Sequence, residues 1–379
     1  MKSHHSLAAL ALSSLLQTAL TCAAEESYHL VREIPVGGSA QWDYLTIDSE
    51  AHRLYLSHAT KVEVIDLTSG AVVGTIDNTP GVHGIEITSD DVTLDLNGFS
   101  LICTAVNGGD AIHGGNSKRG LIIRNGHIVG GTTFNYNGQA WVAVPAGWKI
   151  GIASGDGTAG SAGTSIQVSD LSVAGTRASG ISLNPAGFLS NSAANGTVSR
   201  CNVENCGGVG IAAAMVTDCT VQNVGSHGID LGSSPSFGET LIGLVSRSRA
   251  TVHGSGAAIH APGYTVADSH GVSELGVGIE AQTAQNCRGW TTGAASGILA
   301  GSAGNCDGRS YSGYGIEAGT AANCFGRSET NIGLRATAIV SYSFGSSDNG
   351  TIGLQACLIA IGCNGFPSTD CPNKQLGTN

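Results

Sequence analysis

Apolar residues recur at a fixed interval along most of the chain. A Gly-Ile or similar pair repeats from Gly151-Ile152 to Gly353-Leu354, and a Val/Ala-x-x-Cys/Ser segment, ending between Cys201 and Cys363, alternates with it. Successive ends of that segment lie mostly 18–21 residues apart, with one interval of 29. Two fixed markers per coil predict short strands that must stack on the next coil to bury their apolar side chains.

This repeat predicts an all-β fold, a right-handed parallel β-helix of about eleven coils over residues 80–365, with a C-terminal tail or cap at 366–379. The Ile of the first marker and the Val/Ala and Cys/Ser of the second are expected to point inward. Residues 25–79 have a different pattern. They alternate apolar and polar residues in four short segments with turn residues between them, which predicts four strands.

Composition supports this reading. The chain of 379 residues has 57 Gly and only 12% charged residues, which disfavours a helical bundle. Lys2, the apolar stretch Leu7–Leu20 and the small residues before Glu25 predict a signal peptide at residues 1–24, and hence a secreted, extracellular or periplasmic protein. A lipoprotein signal at Cys22 is the alternative. Without Lys2 the net charge is −12, which argues against nucleic acid as a partner; no membrane insertion is predicted, and the oligomeric state is left open.

Two stretches resemble known families. Residues Arg53–Ser57, Val62–Asp66 and Val72–Ile76 are similar to one blade of the YVTN-type β-propeller family, although a propeller needs at least four blades and the sequence shows no second one. The opening segment Gly84–Phe99 resembles the first coils of secreted bacterial right-handed β-helix proteins of the pectate-lyase-like superfamily. The first resemblance implies a docked cap or a fusion remnant, and the second implies polysaccharide lyases or hydrolases as possible activities.

The cysteines follow the repeat. Ten remain after the predicted signal peptide, so five disulfides are one possibility in a secreted protein. However, Cys287, Cys306 and Cys324 occupy a slot that Ser fills at 248, 269 and 343, which favours a stack of free buried thiols. Cys363 and Cys371 are left as a possible bridge. Paired metal-ligand spacing is absent, so we predict no metal and no cofactor.

Catalytic motifs are weak, and no catalytic residue is assigned. Asp90-Asp91 are expected to form a turn, while Ser226-His227-Gly228 and Ser269-His270-Gly271 only faintly resemble a hydrolase motif, so structural roles are favoured for both histidines. Three insertions of about ten residues follow Ile152, Ile181 and Ile229, and a fourth occupies residues 131–149. Phe188 and Phe237 lie in two of the first three.

Aromatic residues of the fourth insertion, together with the residues just after each marker Ile, form the predicted ligand site. Tyr136, Trp141 and Trp148 are candidate walls of a groove, and Asp230, His260 and Glu280 are candidate floor residues. Aromatic walls over a polar floor suit an extended sugar chain. The alternative is that the aromatics cap the first coils and protect an exposed sheet edge.

Three functions follow from these patterns. The first is a secreted or cell-surface β-helix that binds an extended polysaccharide, or forms a structural surface, without catalysis. The second is a polysaccharide lyase or glycoside hydrolase, against which the absence of a recognisable Asp/Arg constellation counts. The third, a propeller-derived redox or ligand-binding protein, is poorly supported by a single blade.

Overall fold

The computed structural model describes residues 33–34, 42–48, 51–58, 61–76, 84–103, 106–137, 141–154, 165–183, 196–232, 243–350, 352–356, 358–366, 368–371 and 374–375. Among these residues the regular elements are all β-strands. The chain divides into two compact units, Met1–Pro80 and Gly81–Asn379. The predicted signal peptide lies outside the described residues, and within them no helix has the length and apolarity needed to cross a membrane.

The first unit contains a four-stranded antiparallel sheet in which each strand pairs with the next along the chain. Its strands are Trp42–Asp48, Arg53–His58, Lys61–Asp66 and Val72–Ile76. In Lys61–Asp66 the period-two alternation buries Glu63 and Ile65 on one side. The four predicted strands are therefore present, arranged as a meander.

The second unit is a parallel β-helix, as predicted, whose coils build three parallel sheets. The first sheet contains the Gly-Ile pairs and is named the Gly-Ile sheet. The second sheet follows it along the coil, and the third sheet closes the coil. Several strands bend from one sheet into the next. The strands in chain order are Ile85–Ile87, Thr93–Asp95, Ser100–Ile102, Ile112–Gly114, Ile122–Val129, Ile152–Ser154, Ile166–Ala174, Ile181–Ser182, Gly196–Ser199, Asn202–Cys206, Ile211–Ala212, Met215–Thr217, Thr220–Val224, Ile229–Asp230, Leu244–Ser246, Arg249–Val252, Ile259–Ala267, His270–Ser273, Ile279–Gln285, Arg288–Thr291, Ile298–Gly304, Asp307–Ser310, Ile316–Ala322, Phe325–Ser328, Leu334–Ser341, Phe344–Ser347, Leu354–Ala356, Ile359–Ile361, Asn364–Phe366, Thr369–Asp370 and Lys374–Gln375.

The Gly-Ile sheet shows the regularity of the stack. Its strands pair rung by rung from Ile85 through Ile112 and each later Ile or Leu to Leu354, which gives twelve rungs among the described residues of the span 80–365, for which about eleven coils were predicted. The residues predicted as a tail or cap also extend the ladders, since Thr369–Asp370 and Lys374–Gln375 pair with the preceding coil.

A tight turn joins the second and third sheets in the coils that contain the Cys/Ser slot. The residue before the Cys/Ser slot has a positive φ, for example 54° at Asn286 and 51° at Asn305 and Asn323. Asn and Asp tolerate this left-handed conformation better than most residues. Asn305 Nδ2 donates to Asn286 Oδ1 at 3.2 Å, so these turns also bond from coil to coil.

The Cys/Ser slot follows this turn, and its side chain serves the turn directly. Cys306 Sγ donates to the Gly304 carbonyl at 3.1 Å, and Ser248 Oγ donates to the Ser246 carbonyl at 2.8 Å. Both residue types therefore make the same bond to the carbonyl two residues earlier, which explains their interchange. Cys287, Cys306 and Cys324 are buried and free, as the ladder interpretation predicted. Cys363 and Cys371 are not joined to each other by a disulfide, so the bridge left open between them is not formed.

Close approach of backbones explains much of the glycine content. Where the third sheet meets the Gly-Ile sheet, a Cβ on Gly308 would lie 2.2 Å from the Gly315 carbonyl oxygen, and one on Gly289 would lie 2.1 Å from that of Gly297. No side chain fits at such distances. Glycine is required there because the cross-section is narrow at this corner.

Replacement of an inward Ile tests the stack. Ile298 is fully buried, whereas Leu299 points outward on the same strand and is partly exposed. We expect Ile298→Asp to lower the free energy of unfolding by several kcal/mol or to prevent folding, because an unpaired buried charge is very costly. Leu299→Asp is the matched control and should cost about 1 kcal/mol or less. Equal destabilisation in denaturant titrations would contradict the inward assignment.

The shared turn bond predicts a difference between two substitutions of Cys306. Cys306→Ser keeps a donor to the Gly304 carbonyl, so its stability should stay within about 0.5 kcal/mol of the original. Cys306→Ala loses the donor and should cost about 1 kcal/mol more. Equilibrium unfolding of both variants measures this, and a Ser variant as unstable as the Ala variant would be inconsistent with the bond.

Candidate functional site

The residues that follow the inward Ile or Leu form one outward ladder on the Gly-Ile sheet. Their register is continuous from coil to coil, as the sequence predicted, and comprises Glu86, His113, Ala153, Ser182, Ala212, Asp230, His260, Glu280, Leu299, Glu317, Arg335, Gln355 and Asp370. Ala153, Ser182 and Asp230 are buried although they point away from the core. Glu86, His113 and Ala212 are at least partly exposed, and from His260 onward every residue of the ladder is at least partly exposed.

Asp230, His260 and Glu280 occupy three successive rungs and are brought together as predicted. His260 Nδ1 lies 2.9 Å from Asp230 Oδ1, and His260 Nε2 lies 3.6 Å from Glu280 Oε2. The Asp230 side chain is only 1% exposed, while those of His260 and Glu280 are 18% and 28% exposed. A buried carboxylate thus fixes one ring nitrogen and leaves the other beside an accessible carboxylate.

The buried carboxylate has one oxygen in use and one free. Asp230 Oδ1 accepts from the Gly232 N–H at 2.8 Å as well as facing His260. Asp230 Oδ2 is buried and has no hydrogen-bond partner among the described residues. An unpaired buried carboxylate oxygen is costly, so it is a strong acceptor for any hydroxyl or water that reaches it.

Two histidines stack at this site and differ in proton affinity. The rings of His227 and His260 lie 4.5 Å apart at 23°. Burial lowers the pKa of His227, and the neighbouring His260 lowers it further. Burial also lowers the pKa of His260, but the hydrogen bond and charge of Asp230, with the charge of Glu280, outweigh this, so its pKa is raised overall. His260 therefore binds a proton more readily than His227 does.

The same cluster offers ligand atoms to a metal ion, since those of His227, Asp230 and His260 lie within 4.8 Å of one another. Most of these ligand atoms already take part in hydrogen bonds within the protein. The Ala257 N–H donates to His227 Nδ1 at 2.9 Å, which places the proton of the neutral ring on Nε2. His260 Nδ1 and Asp230 Oδ1 are hydrogen-bonded to each other. The donor set is arranged as a hydrogen-bond chain, and a cation would have to break it.

A second polar pair lies two rungs further along. Arg335 Nη1 donates to Glu317 Oε1 at 2.8 Å, and the guanidinium lies 5.2 Å from the centre of the Tyr314 ring. The sequence placed Glu317 and Arg335 on the floor but gave no sign that they pair. A carboxylate with an arginine is thus present on the same ladder as Glu280, separated from it by Leu299.

The insertion at residues 131–149 contains a β-hairpin of strands Thr133–Tyr136 and Trp141–Val144. Trp141 is 40% exposed and stacks on His253, with ring centres 4.8 Å apart. Phe134 also contacts the His253 ring, at 5.7 Å. The hairpin therefore lies over coil corners, as a cap would, while part of the Trp141 ring remains accessible.

The other predicted wall residues do not join this surface. Trp148 has no exposed area and its Nε1 donates to the Leu101 carbonyl at 3.4 Å, so the prediction that it stacks on a sugar ring is wrong. Its removal is expected to cost about 3–5 kcal/mol as a core truncation. Tyr136 pairs with Trp141 through the backbone, and its side chain lies outside the described residues, as do Phe188, Phe237 and the insertions that contain them.

Two residues that sequence reasoning left out belong to the site. His227, for which the sequence favoured a structural role, stacks on His260. His253 anchors the hairpin, and its ring nitrogens face Glu274 Oε1 at 3.2 Å and Asn223 Oδ1 at 3.1 Å. The only signal for His227 was the Ser-His-Gly tripeptide, and nothing local marked His253. Asp90 and Asp91 form the predicted turn, with φ of 57° at Asp91.

Comparisons with known proteins add little to this geometry. No family model matches the sequence, and no curated protein is significantly similar to it. Among solved structures, the chain is similar to the tailspike protein gp49 of Acinetobacter baumannii bacteriophage Fri1, a capsular polysaccharide depolymerase, with 12% identity and a TM-score of 0.32. The match covers 73% of this chain and 48% of the tailspike chain, so it spans about half of that protein. At this distance we draw nothing about activity from it.

The raised pKa of His260 predicts pH-dependent stability. A raised folded-state pKa stabilises the fold below the ordinary histidine pKa, and this contribution disappears as pH rises through the folded-state value. We expect His260→Gln to lower the melting temperature more at about pH 5.5 than at about pH 8.5. His227→Gln is the contrasting variant, because its lowered pKa gives the opposite trend. A pH-independent effect of His260→Gln would contradict the assignment.

Proposed function

We propose that this chain is a secreted β-helix protein that binds an extended polysaccharide along the Gly-Ile sheet. The observation that carries the proposal is the continuous outward ladder, in which Asp230, His260 and Glu280 are joined by close polar contacts. Strands in such a ladder repeat about every 4.8 Å, so polar groups recur along a line. A linear chain of sugar rings presents hydroxyl groups along a line in the same way.

Individual groups of the ladder match the needs of a sugar. The free Asp230 Oδ2 and the Glu280 carboxylate accept hydrogen bonds from hydroxyls, and His260 donates one when its ring is protonated. Trp141 offers a partly exposed ring, and aromatic rings pack on the apolar faces of sugars. Trp141 stacks on His253, which lies at the start of the turn that leads into Ile259–Ala267, the strand that contains His260.

Further parts of the proposal rest on the sequence. The predicted signal peptide supports export to the periplasm or the exterior. The opening coil Gly84–Phe99 supports descent from the pectate-lyase-like superfamily, and the antiparallel meander of the first unit supports kinship with a propeller blade. No nucleic acid, membrane insertion or cofactor is part of the proposed function.

A catalytic role is the second candidate, and a specific arrangement favours it. Buried Asp230 orients His260 by its Nδ1, which is how a carboxylate holds a general acid or base in position. Glu280 and the Glu317–Arg335 pair lie on the same ladder. Together they would supply a proton donor, carboxylate bases and a guanidinium for chain cleavage.

A polysaccharide array with product analysis tests both candidates. Trp141→Ala should weaken binding of the captured polysaccharide about fivefold or more, since stacking is worth about 1 kcal/mol beyond area burial. Asp230→Asn should weaken it as well. Phe99→Ala, which removes an aromatic ring that is 72% exposed, is the matched control and should leave affinity unchanged. Shortened products that disappear in His260→Gln would establish catalysis over simple binding.

The alternative, in which the hairpin only caps the first coils, predicts a different result. If Trp141→Ala lowers the melting temperature sharply and leaves binding intact, the hairpin is a cap and the Gly-Ile sheet is not bounded by it. If no polysaccharide is captured and no product is released, the proposed function is wrong.

A further inference from the structure

The outward face of the third sheet has a different character from the Gly-Ile sheet. From Arg249–Val252 to Asn364–Phe366, each strand contributes two outward positions, which align in two columns. The first column is Arg249, His270, Arg288, Asp307, Phe325, Phe344 and Asn364; the second is Thr251, Val272, Trp290, Arg309, Arg327, Ser346 and Phe366. We name this surface the arginine–aromatic face.

Positive charge is concentrated on this face. It contains four arginines and one aspartate, in a chain whose net charge is −11. Arg309 pairs with Asp307, and Arg327 pairs with Asp348. Arg249 and Arg288 have no ion-pair partner among the described residues. They lie on either side of His270, whose pKa is lowered by burial and then by the charges of these two arginines. Two guanidinium groups are thus free to bind an anion.

Exposed aromatic rings continue the same columns. Trp290 is 49% exposed and lies beside Arg288 on one strand. Phe325 and Phe344 stack with centres 5.6 Å apart and planes 6° apart, and both are more than a third exposed. Phe366, at 63%, ends the second column. Several exposed aromatics on one face, here interrupted by the rung of Asp307 and Arg309, are typical of a binding surface.

Two depressions follow these side chains. One of about 190 Å³ is lined by His270, Arg288, Gly289, Trp290, Asp307 and Arg309. The other, of about 650 Å³, extends from Arg288 and Asp307 past Phe325 and Phe344 to Asn364, and shares its edge with the asparagine turns. They meet at Arg288 and Asp307. The two form one path along the stack of coils.

We propose that the arginine–aromatic face binds a linear polysaccharide that carries carboxylate groups. Arg249 and Arg288 would hold carboxylates, since guanidinium groups bind them in a bidentate geometry. Trp290 and the Phe325–Phe344 pair would contact the apolar faces of the sugar rings. Asp307, in the middle of the path, is paired with Arg309 and accepts hydrogen bonds from sugar hydroxyls. A glycan carries such hydroxyls on the same chain as its carboxylates, whereas the backbone of DNA does not, which favours an acidic glycan over DNA.

This site is separate from the one proposed on the Gly-Ile sheet. The latter is rich in carboxylates, with Asp230, Glu280 and Glu317 on one ladder, so it disfavours an acidic chain. The two faces would therefore take different glycans, or chemically different stretches of one. Substitutions can therefore abolish glycan binding at one face without affecting binding at the other.

Titration calorimetry with two defined probes, alginate and hyaluronate, tests the proposal, and esterified alginate serves as the uncharged counterpart. We expect both acidic polymers to bind, with affinity that falls as salt is raised, and esterified alginate to bind at least about tenfold more weakly. Arg288→Gln, Arg249→Gln and Trp290→Ala should each weaken alginate binding by about fivefold or more. Arg200→Gln is the control, because it removes an exposed arginine held by Asp170 elsewhere on the helix.

Several outcomes would overturn the site. These are absence of binding to both acidic polymers, equal affinity for the esterified form, loss of affinity in Arg200→Gln equal to that in Arg288→Gln, or tighter binding of a single-stranded oligothymidylate. Unchanged melting temperatures establish that the variants are folded. Trp141→Ala and Asp230→Asn should leave alginate binding unchanged, so failure of this site and failure of the Gly-Ile site are distinguishable.

Discussion

Stacking of coils is the constraint on which the rest of this protein depends. A single coil of 18–20 residues cannot bury its own apolar side chains, so each Ile or Leu of the Gly-Ile sheet lies on the one before it. The ladder fixes the register of every other position. Glycine is required where two backbones meet too closely for a Cβ, as at Gly308 and Gly289. Asn or Asp commonly fills the left-handed turn before the Cys/Ser slot.

The same constraint creates the two candidate surfaces. Because register is fixed inside, outward residues are also aligned, and residues from coils about 20 to 30 positions apart become neighbours. Asp230, His260 and Glu280 interact only for this reason. So do Arg249, His270 and Arg288 on the third sheet. One surface is acidic with a histidine between two carboxylates, and the other is cationic with exposed aromatics, so a single scaffold presents two opposite chemistries.

Much of the architecture could be predicted from the repeat. The two markers indicated the inward ladders, the outward ladder and the free thiols of Cys287, Cys306 and Cys324, and all are present. The strands at Ile85, Ile112 and Thr369 also pair in register with their neighbours, although their coils lack the full set of markers. The sequence placed Asp230, His260 and Glu280 next to one another because each follows a marker Ile, and the spacing of the repeat aligns these positions on successive coils.

The sequence by itself determined which residues share a rung and a face, since that depends only on counting positions along a periodic chain. The tertiary structure alone decided what covers each face and how side chains pair. Trp148 and Trp141 are seven residues apart in one insertion, yet one is fully buried and the other is 40% exposed on His253. The stack of His227 on His260 and the bond from Arg335 to Glu317 are also tertiary results. Periodicity gives the positions of side chains, but burial, ring contacts and proton affinity depend on neighbours that no single coil contains.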